Sequence, residues 1–197
     1  MWYKFVQNLL WFIFKIIFRL EVLGRENIPA QGPVIIAPNH ISLLDPPLVG
    51  TCSTRAVRFM AKEELFVFPL GQIYHSLGAF AVKRGAHDRN AIKTALGILK
   101  AGGVLGIFPE GTRSVTGALG QAEPGAVAIA AKSGAQVVPT AVIGSRLAGR
   151  STFWPKMKVV FGPPMNFGEK QLTKEEMEEK GRELMLRIGS MLEKHKN

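Results

Sequence analysis

Short β-branched runs alternate with stretches of helical periodicity along most of this chain, and that alternation confines it to an α/β architecture. Residues 33–37, 56–61, 79–83, 104–109, 136–144 and 157–161 each read as a strand. Between them, 88–100 repeats Ala91, Ala95, Leu96 and Leu99 on one helical face. An alanine-rich stretch, 125–133, stops at Gly134, where a helix C-terminus is expected. A last helix follows Thr173, which with Glu176 has the spacing of a capping box. Its Met177, Leu184, Ile188 and Met191 share one face, as in a helix packed on the body. The pattern predicts a single domain with a mixed, largely parallel sheet flanked by helices. At 197 residues the chain has length for one core and little for a second.

Residues 1–21 stand apart as an N-terminal membrane-surface helix, with 22–197 as the domain proper. The longest unbroken apolar run, Leu9–Phe14, is far short of the roughly 20 residues that span a bilayer. No small-residue cleavage site follows, which removes the signal-peptide reading. On a helical wheel Lys4, Asn8, Lys15 and Arg19 form one polar stripe, while Trp2, Phe5, Phe12, Ile16 and Leu20 fall elsewhere. A cationic stripe beside a wide aromatic face describes a helix lying among lipid headgroups. Lys4, Trp11, Lys15 and Arg19 are the residues expected to meet the membrane. The same face could also dock on the protein's own core.

Charge supports a polyanionic partner. The net charge is +10, yet residues 169–197 are neutral, so the whole excess lies on 1–168. Such a body attracts anionic headgroups, phosphorylated substrates or nucleic acid. A nucleic-acid binder would need a basic recognition helix or an aromatic sheet surface, and the chain has neither. Mean hydropathy, +0.13, fits a protein that displays apolar surface. Cys52 is the only cysteine, so there is no intrachain disulfide and no thiolate cluster, and its surroundings carry no nucleophile motif.

Three polar clusters each close a strand, at the edge where α/β sheets build their sites. The first runs Asn39-His40-Ile41-Ser42-Leu43-Leu44-Asp45. A carboxylate on the far nitrogen of a histidine fixes its tautomer and lets it strip a proton from an alcohol. Five residues along one helix would leave the pair about 140° apart, so His40 must precede a helix that Asp45 begins. Two ligands without a third make metal binding a weak alternative. The second cluster is Phe108–Ser114, where Gly111 permits close backbone approach and Thr112, Arg113 and Ser114 offer donors to an oxyanion. The third, Gly78–Gly85, ends with Lys83 and Arg84.

These clusters together resemble the glycerolipid acyltransferase family, above all its 1-acyl-sn-glycerol-3-phosphate acyltransferases. Asn39-His40 and Asp45 match the family's Asn-His-x4-Asp motif, and Phe108–Ser114 matches Phe-Pro-Glu-Gly-Thr-Arg-Ser throughout. Gly78–Arg84 resembles the second block, and Val138-Pro139-Thr140-Ala141 the fourth. The resemblance implies acyl transfer from acyl-CoA or acyl carrier protein to the sn-2 hydroxyl of lysophosphatidic acid, giving phosphatidic acid. By it, His40 is the general base and Asp45 its orienting partner, with no acyl-enzyme. Arg84 and Arg113 would hold the acceptor's phosphate, and Glu110, Gly111 and Thr112 would shape its site. It implies no metal or other cofactor, an anionic membrane surface as partner, no nucleic acid, and a monotopic enzyme on the cytoplasmic face of the cell membrane. Glu123 stands where the family often carries a basic residue, which leaves the acceptor headgroup open; Lys62 also falls on a family position. Other lysophospholipids, glycerol 3-phosphate or an aminolipid are alternative acceptors. A catalytically silent membrane-binding module is the rival from another class.

Overall fold

The structure, a computed structural model, describes residues 1–82, 88–146, 156–168 and 172–195. Eight strands form one sheet in the order β1 (Glu21–Leu23), β7 (Lys158–Phe161), β6 (Gln136–Ile143), β2 (Val34–Pro38), β5 (Val104–Gly106), β3 (Val57–Lys62), β4 (Phe80–Val82). The two-residue β8 (Met165–Asn166) pairs with β6 outside that path. All pairings are parallel except β6 with β7 and β6 with β8. The sheet is thus mixed and largely parallel, as the alternation predicts.

Both faces of the sheet are covered, which is why β2 is apolar at consecutive positions and buried throughout. Alternate residues feed opposite cores. Ile35, Leu105 and Val137 pack under α4 (Arg89–Lys100), α5 (Pro124–Ser133) and α6 (Lys174–His195). Val34, Ile36, Val104 and Val138 face α1 (Trp2–Ile17) and α2 (Asp45–Cys52). The capping box forms as its spacing requires: Thr173 N–H donates to Glu176 Oε2 at 2.8 Å, and Glu176 N–H to Thr173 Oγ1 at 3.2 Å. Asp88 caps α4 by accepting from Asn90 and Ala91 N–H. A short helix, α3 (Leu70–Ser76), and the edge strands β1 and β8 were not legible as apolar runs; the strands are two or three residues long. The fourth predicted strand is shorter than its apolar run, because the backbone leaves the sheet after Gly106 to build the 108–114 loop.

Helix α1 packs along α2 rather than standing free. Phe14 is buried, Leu20 just beyond the helix is 1% exposed, and Gln7 Nε2 donates to the carbonyls of Gly50, Thr51 and Ser53. Trp2, Phe5, Leu9, Phe12 and Ile16 are about half exposed or more. The helix therefore has two apolar faces, one docked and one outward. Among the described residues no helix is long and apolar enough to cross a membrane.

Candidate active site

The strand order brings the sequence clusters together. Because β2 and β5 are parallel neighbours, their C-terminal ends release Asn39-His40 and Phe108–Ser114 side by side. The two segments are then bonded directly: Ser114 N–H donates to the His40 carbonyl at 2.8 Å. On the other flank, Asn39 clamps β2 to β6, accepting from Val142 N–H at 2.7 Å and donating to its carbonyl at 3.1 Å. Each of these buried partners would cost about 1–3 kcal/mol if left unsatisfied, so the asparagine is held to its identity by the backbone it serves.

His40 Nδ1 lies 2.8 Å from Asp45 Oδ2, and the pair is buried at 7% and 0% exposure. The same carboxylate oxygen accepts from the N–H groups of Ile41 and Ser42, both at 2.7 Å. The loop is thereby curled around Asp45, which begins α2; Pro46 and Pro47 follow in the first turn, where no N–H is missed. Oδ2 is an acceptor for two amides, so His40 Nδ1 donates to it, leaving Nε2 as the nitrogen that can receive a proton. The imidazole stacks on Phe108 at 3.8 Å between centroids, and Phe108 in turn stacks near Phe59 at 5.9 Å. Gly106 makes room for this column. A Cβ there would stand 2.2 Å from the Phe59 ring.

Glu110 is committed to the backbone. Its Oε1 accepts from His40 N–H and its Oε2 from Gly120 N–H, each at 2.9 Å. The side chain expected to shape an acceptor site thus bonds to the 39–45 loop and fixes the amide of His40. Gly111 adopts φ 67 and donates to the Phe108 carbonyl at 3.0 Å, closing the turn. A Cβ at that position would meet Glu123 Cγ at 2.8 Å, which places Glu123 against this loop. Thr112 and Arg113 are exposed on the loop, next to the Ser114 that bonds to His40. Arg84 lies outside the described residues.

One residue that the sequence did not single out is Arg146. It is exposed just past β6, at the same sheet edge, and its guanidinium lies 3.8 Å from where a Gly117 Cβ would stand. Only the pairing of β6 with β2 could have drawn notice to it. Cys52 is buried, and burial pushes its thiol up to about 12, so it is an inert apolar residue. Among the described residues no three His, Cys, Asp or Glu gather around a common point.

A cavity of about 190 Å³ begins at His40 and Phe108 and is otherwise mostly apolar. Its walls are α1 (Tyr3, Val6, Leu10), α2 (Pro46, Pro47), β3 (Phe59) and, from the stretch around α3, Leu65, Tyr74 and Leu77. The membrane residues assigned from the wheel divide. Lys4 and Arg19 are exposed, but Trp11 is half-buried and lies under two cations, Arg25 at 5.4 Å and Lys15 at 5.8 Å. Lys15 also donates to the Leu20 carbonyl at 3.0 Å. Trp11 therefore pins α1 to the body, and Trp2, Phe5 and Phe12 are the outward aromatics.

Comparison with known proteins agrees with this arrangement. The family model for Acyltransferase matches residues 19–143. A 1-acyl-sn-glycerol-3-phosphate acyltransferase of Bacillus subtilis is 34% identical over 167 residues, covering 83% of this chain and 82% of that protein. A chloroplastic enzyme of the same name from Arabidopsis thaliana is 33% identical over 65% of this chain and 37% of its own. The crystal structure of the 1-acyl-sn-glycerophosphate acyltransferase PlsC from Thermotoga maritima superposes with a TM-score of 0.79 at 27% identity, covering 97% of this chain and 79% of that one. Because the family model covers more than half of the chain and the Bacillus subtilis relative aligns over most of both proteins, the chain belongs to the acyltransferase family.

Proposed function

We propose that the protein transfers a fatty acyl group from a thioester to the sn-2 hydroxyl of lysophosphatidic acid, giving phosphatidic acid. The observation that carries this reading is the buried His40–Asp45 pair at the end of the apolar cavity. His40 Nε2 takes the hydroxyl proton as the alcohol oxygen attacks the thioester carbonyl. The new C–O bond forms, the C–S bond breaks, and the thiolate leaves with the proton that His40 returns. Asp45 holds the tautomer and stabilises the transient imidazolium. The cavity takes the acyl chain, while Arg113 on the 108–114 loop, with Arg84, receives the phosphate bidentately. The donor is acyl-CoA or acyl carrier protein, and no metal or other cofactor is needed. The names of the relatives support the acceptor. The cationic stripe and outward aromatics of α1 support a monotopic position on an anionic membrane, at its cytoplasmic face.

The test is transfer of a labelled acyl group to lysophosphatidic acid in detergent micelles, comparing wild type with His40→Ala. Phosphatidic acid formed by the wild type alone is the expected result. A His40→Ala enzyme with near-normal turnover would remove His40 as base. If a folded wild type acylates only some other lysolipid, the acceptor assignment is wrong while the chemistry stands.

A further inference from the structure

The outward apolar face of α1 does not stop at the helix. Trp2, stacked on Phe5, donates from Nε1 to Ser76 Oγ of α3 at 3.0 Å. Ser76 shares a face of α3 with Ile73, three residues earlier, which is 47% exposed. Just before α3, Val67 and Phe68 are 60% and 82% exposed. Two elements separated by some fifty residues thus present one apolar strip, from Phe12 and Leu9 through Phe5 and Trp2 to Ile73 and the 67–68 turn.

We propose that residues 67–68 and Ile73 form a second lipid-inserting wedge, which docks with α1 as one bilayer-facing surface. This rests on the acyl-transfer reading above. Two observations select a bilayer as the occupant. Lys4 on α1 and Arg19 just past its end are exposed cations, of the sign that anionic headgroups attract. Both elements are also walls of the cavity that ends at His40, α1 through Tyr3, Val6 and Leu10, the other through Leu65 and Tyr74. With both walls seated in lipid, acyl chains pass between bilayer and cavity without crossing water. A largely exposed Val–Phe pair has no comparable role in a cavity reached from solvent. Val67 and Phe68 themselves do not line the cavity, so their loss bears on docking alone.

The experiment uses the full chain, Val67→Ser/Phe68→Ser and, separately, Phe68→Trp. Partition onto vesicles of phosphatidylglycerol and phosphatidylcholine is measured by co-sedimentation. Acyl transfer between short-chain substrates below their micellar concentrations is measured in parallel. The double variant is expected to lose about tenfold in partition while keeping wild-type transfer between soluble substrates. Phe68→Trp is expected to bind as wild type and to add tryptophan emission quenched by lipids brominated on their acyl chains. Wild-type partition by the double variant, or no added quenching, would overturn the wedge. So would a wild-type dimer, seen by sedimentation equilibrium, that the double variant abolishes without change in partition. If the wild type transfers no acyl group between soluble substrates, the acyl-transfer reading fails instead, and partition and quenching still decide the wedge.

Discussion

The 39–45 loop and helix α1 both contribute walls to the cavity, yet the loop and the outward face of α1 constrain their residues in opposite ways. Around His40 the polar groups are buried and, Asp45 Oδ1 apart, hydrogen-bonded. Asp45 Oδ2 holds three donors, Glu110 holds two amides, and Asn39 holds both polar groups of Val142. A substitution there strands a buried donor or acceptor, so identity is fixed atom by atom. Along Trp2, Phe5, Leu9, Phe12 and Ile16 nothing but apolar surface and its position on the helix is demanded. One region is specified by chemistry and the other by pattern.

That contrast can be broken most sharply at Asp45. Asp45→Asn offers one carbonyl oxygen to three donors and points an NH2 group at the site of Oδ1, which has no partner. A fall in kcat of about 10⁴-fold is expected, the order seen when a triad aspartate becomes asparagine. Thermal denaturation should show a loss of about 1–3 kcal/mol. A variant with near-normal kcat would show that the dyad is not held by the hydrogen bonds described.

Glu110→Gln sharpens the division between holding the loop and touching the substrate. One amide of the pair, His40 or Gly120, would face an NH2 group instead of an oxygen. We expect kcat to fall about tenfold, with KM for the acceptor little changed, because the carboxylate acts through the backbone of His40. A raised KM at unchanged kcat would instead place Glu110 in contact with the acceptor.

The smallest effect per substituted residue is expected at Lys4 on α1 and at Arg19 just past its end. Arg19 is the one non-glycine residue with positive φ among those described, at 45°. Lys4→Gln/Arg19→Gly removes two charges while relieving that backbone. Binding to anionic vesicles should weaken about fivefold per charge, and less in high salt, as roughly 1 kcal/mol per basic residue implies. Stability should stay within about 1 kcal/mol of wild type. Unchanged vesicle binding would detach the cationic stripe from the membrane.

Much of the site was legible before the fold was known. His40 and Asp45 stood out through the resemblance to the Asn-His-x4-Asp motif, and the five-residue step required a turn into a helix, which the 41–45 backbone makes around the carboxylate. The Phe108–Ser114 loop was equally visible, since it pairs a strand end with a glycine and a cation. Glu110 was legible as important and illegible in role. Its partners, the amides of His40 and Gly120, are 70 and 10 residues away, and no spacing within its own loop reveals them. Trp11 shows the converse. A wheel records that a residue is aromatic, whereas Arg25, beyond the helix, decides that it turns inward.

The sequence by itself determined the alternation of strands and helices, the polar clusters that close the strands, and the dyad. These follow from periodicities and turns that act over a few residues. Tertiary structure decided the rest: that β2 lies between β5 and β6, that α1 docks on α2, and that Trp2 reaches Ser76. Those outcomes depend on which apolar faces find one another across long loops. A hydrophobic pattern states that a face must be buried but does not name what buries it.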